Sequence, residues 1–347
     1  MKFLDRRLTL RKHPAVLVLL ALLVLALSAA LTIVRSGSYL SIFWRISQAS
    51  WRSPGAGFAM VGCPGVLSEY YRTGALYLDI DPRLAASLRD ADVVVTGNSR
   101  TLNTFCLQDR DNQLDLYFRK KGLKFFLLAE DGSGFRYRMM ILERLKVRPP
   151  IALINTEDLL ADMLEDFNRE VVFNEDRFRL PFLADHLAIE MQQAICSSPD
   201  GGPVMSRLKD FYCNGPSESS WRNLETGGFR YCADRPATKR QLIVRGPDTR
   251  IINLEVYRNR MKTMLASEAW SRSRVLFYEV PSPGMMVEVS RTLAHEARVP
   301  FVFPEVSADK QYYVNDGSHM EVDSSRRWTA EFLQALDPEL TKLLKSR

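Results

Sequence analysis

Histidine is scarce in this chain: four occur in 347 residues, at positions 13, 186, 295 and 319. Cysteine is little commoner. Cys63, Cys106, Cys196, Cys213 and Cys232 form no C-x-x-C pair, and none stands near a histidine at zinc-ligand spacing, which argues against a metal module. No loop reads G-x-x-x-x-G-K-[ST], and no G-x-G-x-x-G lies between a strand and a helix, which removes the usual nucleotide cradles. No cofactor is therefore expected. Internal repeats and low-complexity tracts are also absent. The formal net charge is +6, but Lys2, Arg6, Arg7, Arg11 and Lys12 against Asp5 account for four of those charges. The remaining two do not argue for nucleic acid, and the aromatic residues are not interleaved with a basic stripe.

What the chain does have is a long apolar run. Ala15 to Val34 carries no charge over twenty residues, about the thickness of a bilayer core. Basic residues precede it, so residues 1–14 are expected to be a cytoplasmic tail and the rest to cross a cell inner or plasma membrane. Two readings fit the run. It is an uncleaved single-pass anchor, or a signal peptide cleaved near Leu27-Ser28-Ala29-Ala30. Its length exceeds a usual signal core and favours the anchor. Either way the bulk of the chain is expected in the periplasm or outside the cell. There a disulfide among Cys196, Cys213 and Cys232 is the default, with the pairing open. Trp44 and Trp51 follow the span as interfacial anchors or as packing residues.

Residues 35–78 read as a stalk, or as the first elements of the domain that follows over 79–345. The spacing predicts a helix over Leu84–Arg89, a strand Asp92–Thr96, the end of a helix over Leu114–Lys121 stopped by Gly122, a strand Lys124–Leu128, a helix Phe135–Leu145 and a strand Ile151–Ile154. This alternation signals a parallel α/β sheet with covering helices. Turn clusters then mark an insertion over about residues 160–245, with its own helix near Leu183–Ile195. The alternation resumes with a helix Ile252–Ala269, a strand Arg274–Val280, a helix Met285–Ala297, a strand Phe301–Phe303 and a last helix Val322–Leu336.

In open parallel sheets, function gathers beyond the carboxyl ends of the strands. Three such loops carry Gly97-Asn98-Ser99-Arg100, Glu130-Asp131-Gly132-Ser133-Gly134 and Asn155-Thr156-Glu157-Asp158. A fourth, before the last helix, carries Asp316-Gly317-Ser318-His319. Serine is a weak nucleophile until a base takes its proton. His319 is the one histidine with an orienting carboxylate nearby and the right sheet context. His295 reads as a surface or half-buried helical residue, and His186 falls in the insertion. Glu130 and Asp131 read as solvated loop acids, and Asp158 as a third-loop acid or the start of a helix. Arg100 binds a substrate anion or forms a salt bridge; the sequence leaves both open.

These four loops resemble the blocks of the SGNH (GDSL-type) hydrolase and acyltransferase superfamily, over about residues 90–340 outside the insertion. The resemblance implies a three-layer α/β/α flavodoxin-like sheet. It implies Ser99 as nucleophile, His319 as general base and Asp316 as its orienter. The oxyanion hole would come from the N–H of Ser99, that of Gly132 and the Asn155 side chain, with Gly134 also qualifying in the second block. Two departures are visible. Asn98 stands where the first block commonly has Asp, and Asn155 lacks the usual glycine and aspartate neighbours. The Ser-Arg first block and N-terminal anchor are most like envelope polysaccharide O-acyltransferase proteins, such as alginate acetyltransferase-like and D-alanyl-lipoteichoic acid transfer proteins. By that likeness, the partners expected are an envelope polysaccharide or glycolipid and a multi-spanning membrane acyltransferase that supplies the acyl group. An esterase or a non-catalytic binding module on the same fold are the alternatives.

Overall fold

The computed structural model describes residues 58–62, 74–105, 113–130, 134–160, 171–176, 178–179, 182–183, 202–207, 220–231, 240–243, 253–306 and 310–345. The run Ala15–Val34, Trp44, Trp51, the five cysteines, His13, His186 and nearly all of Leu183–Ile195 lie outside these residues. Among the described residues no helix is long and apolar enough to cross a membrane.

The chain enters with a strand, β1 (Phe58–Gly62), and a turn of helix, α1 (Ala75–Tyr77). Ala75, Leu76 and Leu78 are fully buried in the core, so this part of the stalk-or-domain stretch packs as domain. Helix α2 (Pro82–Arg89) starts where Asp81 accepts from the N–H groups of Arg83 and Leu84, with proline at its first position. Strand β2 (Val93–Gly97), helices α3 (Ser99–Thr104) and α4 (Gln113–Lys120), strand β3 (Phe125–Ala129), helix α5 (Phe135–Arg144), strand β4 (Ile151–Asn155) and the short α6 (Glu157–Leu160) follow. Beyond the insertion come α7 (Leu254–Leu265), β8 (Arg274–Tyr278), α8 (Val287–Ala297) and β9 (Phe301–Val302).

Strands β3-β2-β4-β8-β9 form one five-stranded parallel sheet flanked by helices. Counted along the chain, its strands lie in the order 2-1-3-4-5. Every residue of β2, β3 and β4 is buried, as expected of strands covered on both faces. Each lies within a residue or two of its predicted span, because an apolar run bounded by turn residues has few alternatives.

The insertion supplies the hairpin β5 (Ser220–Asn223) and β6 (Phe229–Tyr231), and β1 pairs antiparallel with β5. The turn of this hairpin covers the edge strand β3: Leu127 N–H donates to Thr226 O at 2.7 Å. Strand β7 (Gln241–Leu242) pairs with β10 (Tyr313–Val314), the stem of the fourth loop. The last helix, α9 (Val322–Lys345), is longer than predicted and continues through Pro338. Its far half is held by the buried Leu340, by Tyr117 OH donating to Asp337 at 3.0 Å and by Lys121 at 2.6 Å from Asp337.

Candidate active site

Gly97 ends β2, and the chain turns straight into α3. A β-carbon at Gly97 would lie 1.9 Å from Thr101 Oγ1 and 2.3 Å from Thr101 Cβ, so only glycine lets the helix pack this close to the strand end. Asn98 caps the helix, accepting from Arg100 N–H at 3.0 Å. Ser99 is thus the first helical residue, and its backbone N–H has no intrahelical acceptor. Below it, Phe105 packs on Tyr278, Trp328 and Phe332 with ring centroids 6.0, 6.0 and 5.6 Å away, which pins α3 to β8 and α9.

The fourth loop is the tip of a narrow hairpin. Val314 bridges Met320, Asn315 N–H donates to His319 O at 2.9 Å, and Gly317 takes the positive φ of +82° that the turn requires. Asp316 Oδ1 accepts from the N–H groups of Ser318 and His319 at 2.9 and 2.8 Å, and Oδ2 lies 2.6 Å from His319 Nδ1. Burial pushes the Asp316 carboxyl up, but the hydrogen bonds from the His319 ring and from these backbone groups outweigh it and hold the carboxyl at about 2. An ionised carboxylate only accepts, so the network assigns the proton of His319 to Nδ1. His319 Nε2 is then the acceptor for the Ser99 hydroxyl, 2.9 Å away. The structure thus brings together Ser99, His319 and Asp316, with residues 220 positions apart in hydrogen-bonding contact.

The other candidates fall differently. Gly132, with Asp131 and Ser133, lies outside the described residues. Asn155 is fully buried; its Nδ2 donates to Thr101 Oγ1 at 2.8 Å and its Oδ1 accepts from Glu157 N–H at 3.0 Å. In this conformation its amide ties β4 to α3 and is closed to solvent. Arg100 forms an ion pair with Glu157, and its guanidinium also donates to Ser282 Oγ at 2.9 Å and to Ser318 Oγ at 3.2 Å. Of the two readings of Arg100, the salt bridge is the arrangement seen. His295 is exposed on α8.

Several groups at the site have roles the sequence reading missed. Glu157 accepts from Asn98 Nδ2 at 3.0 Å as well as pairing with Arg100, so it holds both neighbours of Ser99. An aspartate at position 98 would set its carboxylate against that of Glu157. Glu130 is not a solvated acid. It is 1% exposed, and its charge raises the pKa of the buried Arg222, which desolvation has brought down to about 10. Arg222 donates to Ala129 O at 2.9 Å. Arg138, from α5, is buried against Gly97 O and lies 3.3 Å from Asp158. These partners are apart in sequence, and only Glu157 and Asp158 carried a local signal, two and three residues from Asn155.

Among the described residues, no group of three or more His, Cys, Asp or Glu side chains is placed to hold a metal ion. Comparison with protein-family models, with curated proteins and with solved structures finds no match to this chain.

Proposed function

We propose that this protein is a serine acyl-ester enzyme of the SGNH type, in which Ser99 is acylated and the acyl group passes to a hydroxyl acceptor. The observation that carries the reading is the hydrogen-bonded series from Asp316 through His319 to Ser99, at 2.6 and 2.9 Å. The flavodoxin-like strand order 2-1-3-4-5 and the serine at the carboxyl end of the first strand of that sheet support the superfamily assignment.

His319 Nε2 takes the hydroxyl proton as Ser99 Oγ attacks the acyl carbonyl. Asp316 stabilises the imidazolium that forms, without taking its proton. The N–H of Ser99, which begins α3 and has no acceptor within that helix, serves the oxyanion. Collapse of the tetrahedral intermediate breaks the bond to the leaving oxygen, which receives the proton from His319 Nε2. The acceptor hydroxyl then repeats the sequence in reverse, with its proton taken by His319 and returned to Ser99. If water is the acceptor, the enzyme is an esterase. With the apolar run Ala15–Val34 as a single-pass anchor, the domain faces the periplasm or cell exterior. The acceptor is then an envelope polysaccharide or glycolipid, and a multi-spanning membrane acyltransferase supplies the acyl group.

A second reading is a non-catalytic binding or assembly module. The observation favouring it is Asn155, whose buried amide already serves Thr101. The test is mass spectrometry of the full-length chain after incubation with a fluorophosphonate. The expected result is one adduct on Ser99 that is lost in both Ser99→Ala and His319→Ala. An unmodified Ser99 in folded protein would favour the module.

A further inference from the structure

The short α6 places two acids side by side at the carboxyl end of β4, one in contact with the turn that bears Ser99 and the other linked to it through Arg138. Glu157 meets it from the solvent side. Its carboxylate accepts from Asn98 Nδ2 and pairs with Arg100, the residues before and after Ser99. Asp158 points into the interior, where its side chain is fully buried beside Arg138. Arg138 in turn donates to the carbonyl of Gly97, two residues before Ser99. That carbonyl also accepts from Glu130 N–H at 3.0 Å, so both of its lone pairs are engaged.

Resting on the reading of Ser99 as nucleophile, we propose that Glu157 and Asp158 form a two-sided clamp that holds Gly97–Arg100 in register with His319, Glu157 directly and Asp158 through Arg138. All are positioning residues, since none touches the reacting atoms. The chemistry supports the division. A guanidinium is a rigid planar fork with five donors, so it serves a carbonyl and a carboxylate together in one fixed geometry that a flexible ammonium does not impose. Neither oxygen of Asp158 makes a hydrogen bond among the described residues, and burial pushes its carboxyl up to about 6 despite Arg138. A buried acid so poorly satisfied is a costly way to stabilise a fold, because apolar residues of similar size commonly do as well. Its proximity to the carbonyl before the nucleophile gives it something else to do. Arg100 extends the clamp to the base, since the same guanidinium that pairs with Glu157 donates to Ser318, next to His319.

The test uses the full-length chain with Arg138→Met/Asp158→Leu, which removes both buried charges together, and Arg138→Lys and Glu157→Gln as singles. Three quantities are read for each: the thermal midpoint, the rate of fluorophosphonate labelling of Ser99 per folded molecule, and amide hydrogen exchange of the peptide covering residues 97–104. The clamp predicts a midpoint near that of the wild type for the double variant, with labelling slower by about tenfold to a hundredfold. It also predicts faster exchange in residues 97–104 with no change in residues 274–278. Arg138→Lys should keep the wild-type midpoint better than the wild-type rate, since lysine keeps the charge but not the fork. Glu157→Gln should slow labelling with little change in midpoint. A folded double variant whose 97–104 peptide is protected as in the wild type overturns the clamp, whatever the labelling shows. A wild type with no adduct on Ser99 overturns the acyl-enzyme reading instead, and the exchange data still decide the clamp.

Discussion

Asp158 and Asp316 show two carboxyls of one site driven in opposite directions by their surroundings. Asp316 is held at about 2 by the ring and backbone donors of its own turn, whereas burial raises Asp158 to about 6, with Arg138 only partly opposing it. The signs for stability follow. The reference value is 3.8 for both. Between 3.8 and about 6 the folded state keeps a proton on Asp158 that the unfolded chain has lost, so this contribution is present at low pH and is lost as pH rises through that window. The contribution of Asp316 is present above 3.8 and is lost as pH falls towards about 2. Thermal midpoints measured from pH 4 to 7 should therefore fall more steeply in the wild type than in Asp158→Asn, which has no carboxyl to titrate. Parallel curves would refute the assignment. The meeting of Ser99, His319 and Asp316 was legible because the roles proposed for them call for particular residue types at particular sheet positions. Glu130 was misread because nothing in sequence announces that Arg222, some ninety positions on, will be buried with it.

At the scale of elements, legibility followed length and polarity pattern. The central strands of the sheet are short, mostly apolar runs bounded by turn residues, and their length and β-branched or aromatic content mark them as strands. Strands β7 and β10 have two residues each and exist through their pairing with each other, which no periodicity can announce. The end of α9 was misjudged because proline removes one hydrogen bond and usually ends a helix. Here Leu340 beyond it is buried in the core, and tertiary packing carries the helix onward. The β5–β6 hairpin is held to the sheet through a tight approach. Gly227 has φ +64°, and a β-carbon there would lie 2.6 Å from Leu127 O and 2.7 Å from the Phe126 ring. Gly227→Ala should destabilise the fold by about 1–3 kcal/mol. It should also expose the Leu127 amide, which the hairpin turn now occupies. Denaturant unfolding with hydrogen exchange of β3 measures both, and unchanged exchange at Leu127 would show that the hairpin is not held there.

For the whole molecule, the fold class was readable from the alternation of strands and helices. The parallel five-stranded sheet is the part of that expectation the structure bears out. The β1–β5 pairing was not readable, since it joins residues some 160 positions apart. The proposed membrane attachment belongs to this scale too. Leu20→Lys/Leu23→Lys puts two charges near the middle of the apolar run, each costing about 2.5–3.5 kcal/mol at the centre of a spanning helix. The double variant should leave the membrane fraction on alkaline extraction while the wild type stays, and equal retention would show that this run is not the anchor. One further consequence comes from the hairpin tip. Asp316 and His319, the proposed orienter and base, share a turn closed by its own backbone, so their mutual alignment is set within the turn and they travel as a cartridge. Assembly of the site reduces to one docking event between this cartridge and α3. Motion of the hairpin stem would then switch the hydroxyl between armed and disarmed without passing through a half-built triad.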